Sequence, residues 1–292
     1  MTQAEPSSLP TTIVIASRGR PEMLLDTVGS ILAGDRVPAE IVVVDQSPDP
    51  LAALADLEPE RGCVLRYVHS ATRGLSRARN IGLRLASQPV VVVLDDDMLV
   101  LADSLALLIA GRQGRTDTVT SGRLLMAEPE RPGLSQAPGA LVTRSEPEVF
   151  RGRQPRQVVP GPNISLPRDV LLSIGGYDER LGAGTRFPAG EDHDLSLRLL
   201  DAGCEVRHVP GAVVLHRAWR SRRDLLALQW GYARGLGGFY AKHASLRDRY
   251  ALGLAVREAQ RCGRLALASQ RSAPKASVWE LITLAGMGVG AA

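Results

Sequence analysis

Aromatic side chains are scarce: three Phe, three Trp and five Tyr make up 4% of the 292 residues. So few aromatics leave no evident stacking platform for single-stranded nucleic acid, and no nucleic-acid partner is expected. Cysteine is scarcer still. Cys63, Cys204 and Cys262 are far apart, odd in number and without a CxxC pair, which argues against a zinc site. A reducing compartment is the simplest reading. No apolar run reaches the roughly 20 residues that span a bilayer. Met1 to Pro10 lacks a basic segment followed by an apolar stretch, so it is read as a disordered N-terminus and not a signal peptide; a cytoplasmic location is expected. Hydrophobic content of 45% with 23% charged residues excludes disorder as the dominant state. The net charge of +4 is modest and suits an anionic partner such as a nucleotide or a phospholipid surface.

What is present is strand-helix alternation. Thr11 to Ala16, Glu40 to Val44, Val64 to His69 and Val90 to Leu94 are short apolar, β-branched runs, which read as buried strands. Glu22 to Ala33 and Leu75 to Ala86 carry apolar residues at helical spacing, and Pro50 to Leu57 is a shorter candidate. The order implies a mostly parallel α/β sheet flanked by helices, with right-handed crossovers. Leu99 to Ala110 is expected to be a helix and Asp117 to Met126 a strand. From Ala127 to Pro160 the chain turns to Pro, Gly, Arg and Glu, a long loop that is either functional or mobile. Gly190 to Ala202 is a further helix. Val206 to Val209 and Ala212 to Leu215 read as two short strands. After Arg217 the pattern is helical, and the Gly- and Ala-rich stretch from Val278 to Ala292 is open between a docking helix, a frayed tail and a membrane-contacting element.

Every early strand ends in polar residues, and these gather at the edge where open α/β sheets bind ligands. Asp95-Asp96-Asp97 follows the fourth strand directly. Adjacent carboxylates repel, so such a cluster usually holds a cation. Hard divalent ions such as Mg²⁺ or Mn²⁺ take one or two carboxylates plus substrate phosphates. An acidic solvated turn is the plain alternative. Asp45 ends the second strand. As an acceptor it suits a base N–H or a ribose hydroxyl, or it forms the turn before Ser47-Pro48. Arg73 precedes a helix N-terminus, where backbone N–H groups also attract anions. Arg77 and Arg79 fit either that role or a solvated helix face. Glu191-Asp192 opens a helix after the Gly- and Pro-rich stretch from Gly182 to Gly190. There a carboxylate serves as a general base or as a simple cap. His216 follows the strand ending at Leu215, as a metal ligand or a structural residue. His193 is read as a helix-surface residue.

Taken in order, Ile13 to Arg20, Glu40 to Ser47, Arg73 to Gly82, Leu94 to Asp97, Gly175 to Glu179 and Gly190 to Asp192 resemble the family-2 glycosyltransferases of the GT-A fold. The resemblance implies a GT-A domain over 11–217, with a nucleotide-binding half (11–100) and an acceptor half (101–217), followed by a C-terminal helical appendage (218–292). It implies metal-dependent, inverting transfer from a nucleotide-diphosphate sugar to a hydroxyl of a glycan, a lipid-linked acceptor or a small molecule. Ala16, Arg18, Asp45 and Arg73 would line the nucleoside pocket. Asp95 and Asp96 would lie near ribose and diphosphate. Asp97 would hold Mn²⁺ or Mg²⁺, with His216 as a further ligand. Asp192 would be the catalytic base, with Glu191 its rival. The first strand lacks the aromatic that many members carry. The basic, partly apolar C-terminal region suggests peripheral contact with the inner face of a membrane. Two rival readings are a nucleotidyltransferase, which would need a phosphate loop richer in glycine than Ser17 to Arg20, and a non-catalytic sugar-nucleotide-binding protein.

Overall fold

The computed structural model describes residues 8–129, 134–136, 141–272 and 274–291. The chain folds as a three-layer α/β/α unit closed on one side by three long helices. Strands β1 (Ser8–Ser17), β2 (Val37–Asp45), β3 (Val64–His69) and β4 (Val90–Asp95) are all parallel, interleaved with helices α1 (Pro21–Leu32), α2 (Ala52–Ala55) and α3 (Leu75–Leu85). Beyond β4 come β5 (Met98–Val100), α4 (Ser104–Ala110), β6 (Thr118–Met126), β7 (Ser135–Gln136), β8 (Glu148–Phe150), β9 (Ile164–Pro167), α5 (Arg168–Ser173), α6 (Glu191–Asp201), β10 (Glu205–His216) and β11 (Trp219–Arg220). The main sheet runs β3-β2-β1-β4-β9-β6-β10-β5, with β8 also on β10. β9 is antiparallel to both β4 and β6, so the sheet is mixed.

Alternation along the strands feeds two cores. Val14, Val42 and Val93 face α3, α5 and α6 through Ala78, Leu171 and Leu195. Ile13, Ile41 and Val92 face α1 and α4 through Leu24, Val28 and Leu108. Each fully buried aliphatic side chain contributes about 1.5–3 kcal/mol, so both faces hold the strand ends at a fixed edge. Ser17 pairs in register with Asp45, and Ala16 with Asp95.

Several elements differ from the sequence reading. β1 begins at Ser8, pairing with Val37, so only Met1–Ser7 of the expected disordered terminus lies outside the described residues. The expected helix from Leu99 is in fact β5 followed by a later α4. Met98 pairs antiparallel with His216, and that ladder outweighs the local helical spacing. The two short strands after Val206 are one, β10, whose ladder with β6 slips between His208 and Val213 at Pro210-Gly211.

Helices α7 (Arg222–Ser245), α8 (Arg249–Ser272) and α9 (Pro274–Ala291) follow. The Val278 to Ala292 stretch is thus a docking helix over its described residues. It docks through small residues. A Cβ on Gly237 would collide with the Met287 carbonyl, one on Gly286 with Ala233, and one on Gly290 with the Arg234 carbonyl. This spacing of small residues lets two helix backbones touch. Gly237→Leu should force α7 and α9 apart and lower stability by about 1–3 kcal/mol. Equilibrium urea unfolding of the full chain measures this, and an unchanged midpoint would refute the backbone contact.

Candidate active site

The strand-end edge opens into a cleft of about 1120 Å³ between the sheet, α6 and the C-terminal helices. Nine of the ten residues to which the resemblance assigns a role line it: Ala16, Arg18, Arg73, Asp95, Asp96, Asp97, Glu191, Asp192 and His216. Asp45 does not. Its carboxylate is buried, taking a 2.7 Å hydrogen bond from the Tyr67 hydroxyl and 2.9 and 2.5 Å bonds from the Ser47 N–H and hydroxyl. Gln46 lines the cleft in its place. It donates to Thr72 at 2.9 Å and accepts from the Gly74 N–H at 3.2 Å.

The three aspartates have separate surroundings. Asp95 accepts from Arg79 Nη2 at 2.8 Å. Asp96 accepts from the Ser17 hydroxyl at 2.7 Å and Arg20 Nη1 at 3.0 Å. Burial pushes Asp96 up to about 6, against the opposing pull of Arg20 and Ser17. Asp97 is buried as well, but the facing His216 ring and the Arg20 guanidinium outweigh that burial and hold it below the usual carboxylate range. Arg20 Nη1 reaches Asp97 Oδ2 at 2.9 Å. Asp97 Oδ1 is buried with no hydrogen bond, and His216 Nε2 lies 3.3 Å from it. The β5–β10 ladder creates this neighbourhood by setting His216 opposite Met98.

An orphaned carboxylate oxygen beside an imidazole fits a divalent cation. Among the described residues no three His, Cys, Asp or Glu side chains converge as a complete metal shell. Asp97 and His216 therefore suit an ion whose remaining ligands come from substrate phosphate and water.

Across the cleft, α6 starts at Glu191 after Gly190, whose φ of 91° is left-handed. The turn is crowded: a Cβ on Gly190 would lie 2.7 Å from the Gly235 carbonyl oxygen of α7, and one on Gly161 would lie 2.6 Å from Asp192 Oδ2. Burial and the neighbouring Glu191 charge push Asp192 well above the usual carboxylate range, and Arg79 offsets only part of this. Glu191 is also raised by burial. His193, read as a surface residue, instead lines the cleft and packs 5.9 Å from the Phe239 ring. Its burial pushes it down to about 4, so it is neutral at pH 7.

Arg79 joins the two acidic groups. Only 2% exposed, it lies 2.8 Å from Asp95, 3.4 Å from Asp192 and 3.9 Å from Glu191, with its guanidinium 5.2 Å from the Tyr177 ring centroid. The sequence left Arg79 open between an anion contact and a solvated face. The signal that separates it from Arg77 is helical position: Arg77 points outward to Glu179 at 2.9 Å, while Arg79 shares the buried side of α3 with Ala78 and Leu83. Arg20 and the C-terminal wall of the cleft, including Tyr232, Gln229 and Thr283, had no readable signal.

The sequence profile of glycosyl transferase family 2 matches residues 12–156, which include most of β1, all of β2 to β4 and the aspartate triplet. The chain belongs to glycosyl transferase family 2. Two curated relatives extend the likeness past that segment. A glucosyl-dolichyl phosphate glucuronosyltransferase of Haloferax volcanii is 26% identical over 233 residues, covering 77% of this chain and 73% of its own. A pre-mycofactocin glycosyltransferase of Mycobacterium tuberculosis is 29% identical over 256 residues, covering 82% of this chain but only 49% of its own. The chain thus spans about half the length of the mycobacterial relative. Among solved structures, the fold matches a mannosyltransferase from Pyrobaculum calidifontis in complex with GDP-Man and Mn²⁺ (TM-score 0.63, 18% identity, 97% of this chain and 86% of that one). It also matches GalNAc-T7 with UDP, GalNAc and Mn²⁺ (TM-score 0.55, 20% identity, 83% of this chain and 51% of that one). This family-2 glycosyl transferase therefore has the GT-A fold.

Replacing Arg79 with Met in this glycosyl transferase should leave Asp95, Glu191 and Asp192 without their shared cation. Stripping one partner from a buried ionic group costs about 3–5 kcal/mol. Glu191 and Asp192 already titrate above the usual carboxylate range because of burial, and losing the guanidinium raises them further, so stability carried by their protonated forms is lost as pH rises. The R79M deficit should therefore be larger at pH 8 than at pH 5, read by urea unfolding at both. A pH-independent deficit would contradict this arrangement.

Proposed function

We propose that the protein is a metal-dependent, inverting glycosyltransferase that moves a sugar from a nucleotide diphosphate to an acceptor hydroxyl. The single observation that carries this reading is Arg79 holding Asp192 and Asp95 on one guanidinium in one cleft. Asp192, the proposed base, and Asp95, one of the strand-end aspartates proposed for the donor, share that bridge. Asp97 and His216 would hold Mn²⁺ or Mg²⁺, which when bound neutralises the departing diphosphate. The GDP-Man, the UDP and the Mn²⁺ named with the two fold relatives support that assignment.

The chain's own residues supply the rest. Arg18 and Arg73, exposed on the cleft rim, are proposed to meet the donor's phosphates or base. Asp95 and Asp96 would lie near ribose and diphosphate. Asp45 would act at one remove, fixing Ser47 and Tyr67 behind Gln46. Asp192 would take the acceptor's proton as its oxygen attacks the anomeric carbon from the face opposite the diphosphate, inverting the configuration. A carboxylate pushed upward by burial is a stronger base than a solvated one. Glu191 would hold the second negative charge beside Arg79. Aligning both substrates in one cleft supplies much of the rate.

Asp192→Asn should abolish transfer and keep nucleotide-diphosphate binding with Mn²⁺, whereas Asp97→Asn should lose the metal-dependent part of that binding. Calorimetry with UDP and GDP, with and without Mn²⁺, separates the two; wild-type metal dependence in both variants would sink the assignment. Because the base works deprotonated and its pKa is raised, the transfer rate should rise with pH through an ascending limb above the usual carboxylate range. An ascending limb near pH 4 would contradict Asp192.

The acceptor is proposed to be lipid-linked and met at a membrane surface of a cytoplasmic compartment. No helix among the described residues is long and apolar enough to cross a membrane. Residues 218–292 hold twelve Lys or Arg against four Asp or Glu. On α8, Leu252, Val256 and Leu267 are exposed beside Arg249, Arg257 and Arg264. A basic face with apolar tips suits an anionic surface. The full chain should co-sediment with vesicles containing anionic phosphatidylglycerol, and the L252E/V256E variant should not. Equal sedimentation of the two would rule this surface out.

A further inference from the structure

The metal-ligand candidate Asp97 already has a cation of its own. Arg20 sits in the loop between β1 and α1, with its side chain 40% exposed in the cleft. A single nitrogen, Nη1, lies 3.0 Å from Asp96 Oδ1 and 2.9 Å from Asp97 Oδ2. The loop is tied down on both sides. The Ser17 hydroxyl at the end of β1 donates to Asp96 at 2.7 Å, and the Gly19 N–H in the loop donates to the Ser47 hydroxyl oxygen at 2.7 Å. Behind it, Thr27 on α1 donates to the Asp96 carbonyl at 2.9 Å. The backbone that carries Arg20 is therefore fixed against the aspartates, while its side chain end remains open to the cleft.

A divalent ion at Asp97 and His216 would share Asp97 with this guanidinium. Two cations on one carboxylate repel, and in a half-buried site the interaction is only partly screened. An added diphosphate changes the balance. It brings negative charge to both cations and offers Arg20 oxygen acceptors of the kind guanidinium groups pair with. The energetics of Arg20 thus oppose the metal alone and favour the metal together with a diphosphate.

Resting on the functional reading above, we propose that Arg20 couples divalent-metal binding to nucleotide-diphosphate binding. Arg20 holds Asp96 and Asp97 together, resists the bare ion, and passes its charge to the diphosphate when both arrive. Arg20 is a positioning residue in this scheme, and its effect is a binding order: the metal is retained with a nucleotide diphosphate and released with it.

The experiment is a titration of free Mn²⁺, followed by electron paramagnetic resonance, on the full chain and its R20M, R20Q and R20K variants, alone and with UDP or GDP. In the wild-type protein, one of the two nucleotides should tighten Mn²⁺ binding at least about tenfold. R20M should bind Mn²⁺ alone about fivefold tighter than wild type, as expected for removal of one partly screened charge, and the gain from nucleotide should shrink. R20K, which keeps the charge, should follow the wild type. R20Q serves as a second neutral variant, one that keeps a polar amide in place of the guanidinium. Thermal unfolding confirms which variants are folded. A merely structural Arg20 would give weaker Mn²⁺ binding on its removal, so a neutral variant that binds Mn²⁺ alone no tighter than wild type overturns the inference. So does a neutral variant that keeps the full nucleotide gain. If the wild-type chain takes up no Mn²⁺ with either nucleotide, the glycosyltransfer reading fails along with it. Uptake by wild type with unchanged behaviour in R20M and R20Q isolates the failure to Arg20.

Discussion

The buried guanidinium of Arg79 is the constraint on which the rest of the site depends. It lies at the sheet's ligand edge with Asp95 on one side and Glu191 and Asp192 on the other. A buried cation without partners is expensive, and so are three clustered carboxylates without a cation. Each makes the other tolerable. The bridge ties the end of β4 to the start of α6, elements about a hundred residues apart in the chain. Its neighbour Asn80 does similar work by neutral bonding: its amide donates to the Tyr177 carbonyl and accepts the Tyr177 N–H, both at 2.8 Å. Two consecutive residues of α3 thus set the loop that leads to α6.

A second electrostatic joint makes the C-terminal helices part of the domain. Asp194, two residues beyond the base candidate, is fully buried. It accepts from Arg198 at 2.7 Å, Lys242 at 2.5 Å and His243 at 3.2 Å. Lys242 also reaches Asp178 at 2.9 Å. α7 is therefore clamped onto α6, and the close approach of Gly235 to Gly190 seals that contact. An appendage in sequence becomes a wall of the cleft in space, with Tyr232 and Gln229 facing the same volume as Asp192.

Legibility followed the range of the interactions involved. The strands β1 to β4, the helices between them and the chemistry at their ends could be read because each rests on residues adjacent in the chain: an apolar β-branched run, then a carboxylate or hydroxyl. β5 was misread because three residues of Met98-Leu99-Val100 show no period that separates strand from helix; the distant β10 decides them. Asp45 is instructive in the opposite way. Its place at a strand end was foreseen, yet Tyr67 from the neighbouring strand claims its carboxylate and leaves Gln46 at the cleft. His193 carried no sequence sign of facing the cleft, because Phe239 arrives from a helix more than forty residues later.

The sequence by itself determined the alternating α/β plan, the set of carboxylates at the strand ends, and the ordered motifs of glycosyl transferase family 2. These are local properties of β-branched runs, turn residues and helix starts. The tertiary structure alone decided which of those charges meet. It chose Arg79 over Arg77 as the shared cation, set His216 beside Asp97 through an antiparallel ladder, put Arg20 across Asp96 and Asp97, and folded three helices back as a wall. Each of those outcomes depends on burial and on pairing across long stretches of chain, where the energy lies in desolvation and counter-charge and not in any neighbouring residue.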